Sequence, residues 1–504
     1  MSSKLSVRVV SLLFAAGLVS EVGCGDDGTG GGAGEGGTAG NTPSTGGQAG
    51  AGGLPNAGGA GGGGSGAGAS GAGGAVGGGG DGGSGGAGGE GGSGPIVEPA
   101  HEVWVVDQSN SVADGGGRLY VYDGVALGDG SVVVPEVVDL GGAVRDLCVS
   151  TTGTPPVRPH MLLFNANHQR AILSFVASGH VVFLDAATRA PVECIDVGVQ
   201  AHAAYPLPDD TAVIVANQNG KLLQRIDADF VADSYTLDGA ATLDLATGST
   251  PSGAPIQDVD LRPDNAPICP IVSGDGALGF VTLRGGGLFV VDVTATPLGI
   301  VAEYDRSVIG ANGCGGLETA GRMYINSGGG TMATPYENKV YSFDLADFQG
   351  ASPFAPNTPT ATLLFSRTGS VDSHGATLVA GGAYAWFADR AANRVDVVDT
   401  ATNADLGSFD LAGALSADPA PDLLDRSPLG LTVYAALRGL KPLTANNPNV
   451  NNAVGDSPGV GVIRALGAGD SGELVRIEAI SNVDGDGVEN ADPHAIRVRL
   501  LDSP

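Results

Sequence analysis

Histidine and cysteine are rare in this sequence, seven and five among 504 residues, yet six of them recur at one kind of position. His160, His202, His374 and His494, with Cys269 and Cys314, each stand at the start of a short apolar run. Imidazole and thiolate are the usual ligands of zinc and copper, so such a set could hold a transition metal. A histidine is also the commonest general base. A second set, His180, Arg284, Arg390 and Arg438 with Asp107, Gln218 and Asp389, falls between the runs that follow. Guanidinium groups there would hold an anionic ligand.

For any of this chemistry, the runs must bring these residues to one place. From His101 onward the sequence is built of short β-rich runs bounded by Gly, Asp, Asn and Pro. An apolar-rich run ending in Asp recurs six times: RLYVYD to Asp123, HVVFLD to Asp185, KLLQRID to Asp227, GLFVVD to Asp292, KVYSFD to Asp344 and RVDVVD to Asp399. Intervals of roughly 40 to 65 residues match the blade period of a β-propeller, in which each blade is a four-stranded antiparallel sheet. Aspartate suits the end of such a strand, because its carboxylate can accept from backbone N–H groups of the following turn.

Aligned on those aspartates, HMLLFNANHQ, HAAYPLPDD, ICPIVSGDG, GCGGLETAG and SHGATLVAGG become the first strands of blades two to six. The fold opens with three strands, HEVWVVDQSN, GRLYVYDG and VPEVVDLGG, and finishes with one, DPHAIRVRLL; joined, the two ends make blade one. Such closure removes the open sheet edges that invite aggregation. Blade seven is the least regular: it lacks the Asp, and a polar insertion over Leu440–Pro458 separates LTVYAALRG from VGVIRALG. The expected fold class is all-β, a seven-bladed β-propeller over residues 98–504 closed by N- and C-terminal strands.

Segments such as SHGATLVAGGAYAWFADRAANRVDVVDTATN and QAHAAYPLPDDTAVIVANQNGKLLQRID resemble the YVTN-type propeller repeat, related in shape to WD-repeat and lactonase-like propellers. The resemblance covers about residues 101–501, and blades four, five and seven lack the His of the repeat. Its motifs define blades, and a fold alone does not imply a function. In a propeller the innermost strands line a channel. His494, His160, His202, Cys269, Cys314 and His374 would then open the inner strands of blades one to six, with the second set on the same face. In the resembled repeat, such a histidine often only hydrogen-bonds the neighbouring blade. The expected ligand site is the channel mouth, lined by His160, His180, His202, His374 and His494 with Arg284, Arg390 and Arg438.

Cys24 aside, the cysteines are Cys148, Cys194, Cys269 and Cys314. An even number in an exported chain suggests two disulfides, for which three pairings exist. Cys269 with Cys314 is the favoured pair because both open adjacent inner strands, leaving Cys148 to staple the first part of blade two to its outer strand through Cys194. Disulfides would remove the thiols from any metal site. Near the C-terminus, NVDGDGVENAD sets Asn482, Asp484, Asp486 and Asn490 around Gly487. This resembles the calcium loops of thrombospondin type 3 repeats and, more loosely, an EF-hand, although Pro493 stands where an EF-hand needs its bidentate Glu. A calcium ion there would be structural. Gly469-Asp470-Ser471-Gly472 has the letters of a serine-protease nucleophile motif but reads as a tight turn.

Residues 1–23 have the layout of a secretion signal, with Lys4 and Arg8 ahead of a short apolar core. Gly23-Cys24 then resembles the lipobox of bacterial lipoproteins, in which the Cys becomes the lipidated N-terminus; Glu21 departs from the aliphatic residue usual there. Residues 24–97 continue as a Gly-, Ala- and Ser-rich stretch with no Lys, Arg or aromatic between Gly25 and Gly94. Such a segment buries too little apolar area to offset its ordering entropy, and its coil would reach on the order of 45 Å.

A net charge of −30 argues against nucleic acid or anionic lipid as a partner. The expectation is an exported cell-envelope lipoprotein at the outer membrane or cell surface, monomeric, touching the membrane only through its lipid. Its propeller would bind a protein or small molecule. The alternatives are a lactonase-like hydrolase, with a channel histidine as general base and arginines on an anionic substrate, and a periplasmic carrier of zinc or copper.

Overall fold

The computed structural model describes residues 97–109, 115–329, 336–444 and 452–501. The expected signal segment, Cys24 and the glycine-rich tether lie outside them. The described residues form seven four-stranded antiparallel sheets, the blades of a propeller. Blade one runs Pro493–Leu500, His101–Asp107, Arg118–Asp123, Glu136–Asp139, so the C-terminal strand is its first. His101 pairs with Leu500 and Val105 with Ile496, which closes the ring through both ends of the fold.

The first strands of the blades pack on one another around the axis. Pro267–Val272, Ala201–Pro206 and Pro159–Phe164 adjoin in series, followed by Pro493–Leu500, Pro421–Arg426, Ser373–Val379 and Gly316–Thr319. Blades four and five, at the two ends of that series, are joined by the Cys269–Cys314 disulfide. Large side chains fill the wedges between blades. Phe183 of blade two stacks on Tyr235 of blade three with centroids 3.9 Å apart. Trp386 of blade six is fully buried and donates its indole N–H to the Gly469 carbonyl of blade seven at 2.9 Å. Burying one such ring contributes on the order of 1.5–3 kcal/mol.

The strand-ending aspartates do the local work expected of them. Asp185 Oδ1 accepts from the Ala187 and Thr188 N–H groups at 3.1 and 2.8 Å, and Asp399 Oδ1 from those of Ala401 and Thr402 at 2.9 Å each. In blade three the strand runs two residues past Asp227, and Asp229 takes over the turn. Asp123 caps a helix instead: α1, Gly124–Asp129, starts with Ala126 N–H donating to its carboxylate.

One part of the fold differs from the sequence reading. A second helix, α2, spans Ala143–Thr152 and ends at Gly153, whose φ of 87° suits the residue that terminates a helix. Cys148 sits on α2 and bonds Cys194, so the disulfide ties a helix, not a strand, to the outer strand Pro191–Asp196. Blade seven has the four strands expected of it, with Pro421–Arg426 as its first, a segment the Asp-ended pattern does not mark.

Candidate functional site

In five adjoining blades, the second residue of the first strand points a polar group at the axis: His374, Asp422, His494, His160 and His202. Cys269 and Cys314 belong to the two remaining blades, so all seven carry His, Asp or Cys at this end. The backbone explains how the side chains turn inward. Strand register slips between Pro159 and Met161, Ala201 and Ala203, Ser373 and Ala376, and Pro421 and Leu424. A bulge of this kind leaves a residue unpaired and re-aims its side chain. Gly375 adds close approach: a Cβ there would lie 2.3 Å from the Asp422 carbonyl oxygen, so only glycine lets blade six bring His374 beside Asp422.

The four histidines touch in sequence. His160 and His202 meet through their Nε2 atoms at 3.2 Å. The His160 and His494 rings stack at 3.8 Å, and His374 meets His494 edge-on at 5.3 Å. Gln108 donates its amide to Thr444 Oγ1 at 2.9 Å and Asp492 Oδ2 at 3.1 Å, which turns its carbonyl oxygen toward His160 Nδ1 at 3.1 Å. His160 therefore carries its proton on Nδ1. His494 Nδ1 faces the His160 carbonyl oxygen at 2.9 Å and must donate to it, which leaves Nε2 of His494 as a bare lone pair.

Asp422 stands at the centre. Its Oδ1 lies against His374 Nδ1 and 3.3 Å from Arg390 Nη1. Its Oδ2 is 2.5 Å from Arg438 Nη1 and 3.8 Å from His494 Nε2. Arg390 continues to Asp372 at 2.6 Å and Arg438 to Asp492 at 2.6 Å. The result is an alternating chain, Asp372–Arg390–Asp422–Arg438–Asp492, running from blade six through blade seven to blade one. Burial pushes the imidazolium forms of His160 and His494 far out of range, and His202 is pushed down to about 3 for the same reason. Burial alone would raise Asp422, but His374, His494 and the Arg438 and Arg390 guanidiniums hold its carboxyl well below the usual range. Burial raises Asp492.

Of the sequence-predicted residues, His160, His202, His374, His494, Arg390 and Arg438 belong to this cluster. Arg284 is engaged elsewhere, with Asp264 at 2.5 Å and Asn219 at 2.9 Å. His180 is held at the end of α2, with Nε2 2.9 Å from Thr152 Oγ1 and Nδ1 2.9 Å from Ser178 Oγ. Cys269 and Cys314 lie near His202, but as a disulfide they offer no thiolate. The expected open mouth is a buried site: His160 and His494 are fully buried and His374 is 5% exposed. Two residues of the blade-seven insertion bond into it, Leu443 N–H to Asp492 Oδ2 at 2.7 Å and the Asn452 amide to Asp372. In the C-terminal loop, Asp484 already accepts from Asp486 and Val488 N–H and from the Asn490 amide, while the Asn482 amide turns away to Ser109 and Asp107.

The residue missed was Asp422. The signal was local: Pro421-Asp422 repeats the Pro159-His160 and Pro493-His494 dipeptides at the same strand position. The other partners, Gln108, Asp372 and Asp492, sit in connections where no periodic pattern marks them.

No protein-family model matches this sequence, and neither does any curated protein. Among solved structures, the periplasmic gluconolactonase of Pseudomonas aeruginosa aligns with 80% of this chain and all of its own length, at 13% identity and a TM-score of 0.51. A protein from Lactobacillus plantarum aligns with 79% of this chain and 99% of its own, at 10% identity and a TM-score of 0.50. At these identities the likeness is one of fold.

Proposed function

We propose that this protein is an exported, envelope-attached β-propeller that serves as a binding module, with the axial histidine–aspartate cluster as its small-ligand site. The observation that carries this reading is that His374, Asp422, His494, His160 and His202 come from five separate blades and still converge. Export is supported by the two disulfides, which persist in oxidising compartments, and by the signal-like residues 1–23. The ligand must be small, since every member of the cluster is buried.

The test is binding measured by calorimetry on the full exported chain, comparing wild type with a His160→Gln/His494→Gln variant of unchanged circular dichroism. Divalent metal ions, phosphate and gluconate are the probes. Binding of one of them that the variant loses supports the reading; a variant that binds as wild type does, or a wild type that binds none of them, overturns it.

A second reading is favoured by one contact. Asp422 lies against Nδ1 of His374, the least buried of the four histidines, which places a carboxylate beside the imidazole that would act as general base. Beside two guanidiniums this could serve a lactonase-like hydrolysis, and the Pseudomonas aeruginosa protein of similar fold is a gluconolactonase. Acid release from glucono-δ-lactone above the spontaneous rate, lost in His374→Asn, would establish that reading.

A further inference from the structure

We infer that the ligand of this cluster is a divalent transition metal ion of the zinc or copper class, held by His374, Asp422 and His494; this rests on the reading of the cluster as a ligand site. Three observations carry it.

The first is geometric. One nitrogen of each histidine and one oxygen of Asp422 lie within 4.8 Å of one another, all buried, on first strands from three adjoining blades. In a tetrahedral site with arms of ~2.0–2.2 Å, the ligand atoms stand roughly 3.3–3.6 Å apart, so modest turns of the side chains suffice. Three protein ligands leave one position for water or substrate.

The second is the hydrogen inventory. His494 has committed its Nδ1 proton to the His160 carbonyl, and its Nε2 faces Asp422 Oδ2 at 3.8 Å with no hydrogen-bond partner. At 3.8 Å the two atoms are too far apart for a hydrogen bond and close to the separation of two ligands of one metal ion. Donation of the other ring N–H to a backbone carbonyl is also how metal-binding histidines are oriented. His374 Nδ1 likewise lies against Asp422 without hydrogen-bond geometry.

The third is charge. The groups in direct contact are the carboxylates of Asp372, Asp422 and Asp492 and the guanidiniums of Arg390 and Arg438. Asp107 is bonded behind Asp492. Three carboxylates against two guanidiniums leave this core short of positive charge, which favours a cation over an anion. Arg390 and Arg438 would remain as outer partners that fix the Asp422 carboxylate.

The experiment uses the full exported chain, purified without a polyhistidine tag or chelator, with bound metal counted by plasma mass spectrometry. After chelation, zinc and cobalt(II) are titrated back. The expected result is a single divalent ion whose affinity falls by roughly 100-fold or more in His494→Gln, since loss even of an outer partner costs 10–100-fold. His180→Gln, at a histidine outside the cluster, should keep the ion. Wild-type protein that neither carries nor takes up metal overturns the inference, as does unchanged affinity in His494→Gln. If metal is absent but gluconate or phosphate binds and the cluster variant loses it, the metal assignment fails while the ligand-site reading stands.

Discussion

Arg438 Nη1 lies 2.5 Å from Asp422 Oδ2, and both side chains are fully buried. The pair sits in the middle of a five-residue ionic chain that ties blade six through blade seven to the closing blade, from Asp372 to Asp492 beside the C-terminal strand. Its members cannot be removed singly without leaving a charge in the interior. Arg438→Met should therefore destabilise the fold by about 3–5 kcal/mol, read as a lowered denaturation midpoint. A loss below about 1 kcal/mol would show that the chain contributes little to closure.

The buried imidazoles make stability depend on acid. His160, His202 and His494 have pKa values lowered by burial, so below about pH 6.5 the unfolded chain binds protons that the folded chain refuses. Stability is complete above that pH and falls as pH drops, by up to roughly 1.4 kcal/mol per unit for each histidine. Asp422, held low in the fold, adds a further loss below about pH 4, where unfolded carboxylates take protons. Denaturation midpoints between pH 7 and pH 5 should show this slope, and His202→Gln should reduce it. A flat profile would mean that the histidines are charged or exposed in solution.

Much of this was legible in the sequence. The Asp-ended runs marked six blades because the carboxylate has a fixed local job at the turn, and His160, His202, His374 and His494 stood out because histidine is rare. Asp422 did not, since aspartate is common here and blade seven lacks the Asp-ended run that aligned the others. Helix α2 is short, with only Val144 and Cys148 buried, too little for a helical period to register. The register slips that turn the side chains inward are properties of strand pairing, which no single run displays. The chain of arginines and aspartates was also hidden: sequence placed Arg390 and Arg438 facing a ligand, whereas each spends its guanidinium on buried carboxylates.

The Cys148–Cys194 disulfide fastens α2 to the outer strand of blade two, across 46 residues of sequence. Replacing both cysteines with alanine should cost about 2–4 kcal/mol and expose α2 to proteolysis before the blades. Cleavage that begins within the strands of blade two instead would contradict that local role.

Attachment through Cys24 predicts that Cys24→Ser leaves the propeller folded and moves the protein from the membrane fraction to the soluble one. Retention of the variant in the membrane fraction would show that something other than a lipid on Cys24 holds it there.

The claim that His374, Asp422 and His494 hold a metal ion is tested most directly by an anomalous difference map of the crystallised protein after exposure to zinc. One strong peak is expected about 2.0–2.2 Å from ring nitrogens of His374 and His494 and from an Asp422 oxygen. A map with no peak there, and with Asp422 still facing His494 across an uninterrupted protein interior, would contradict it.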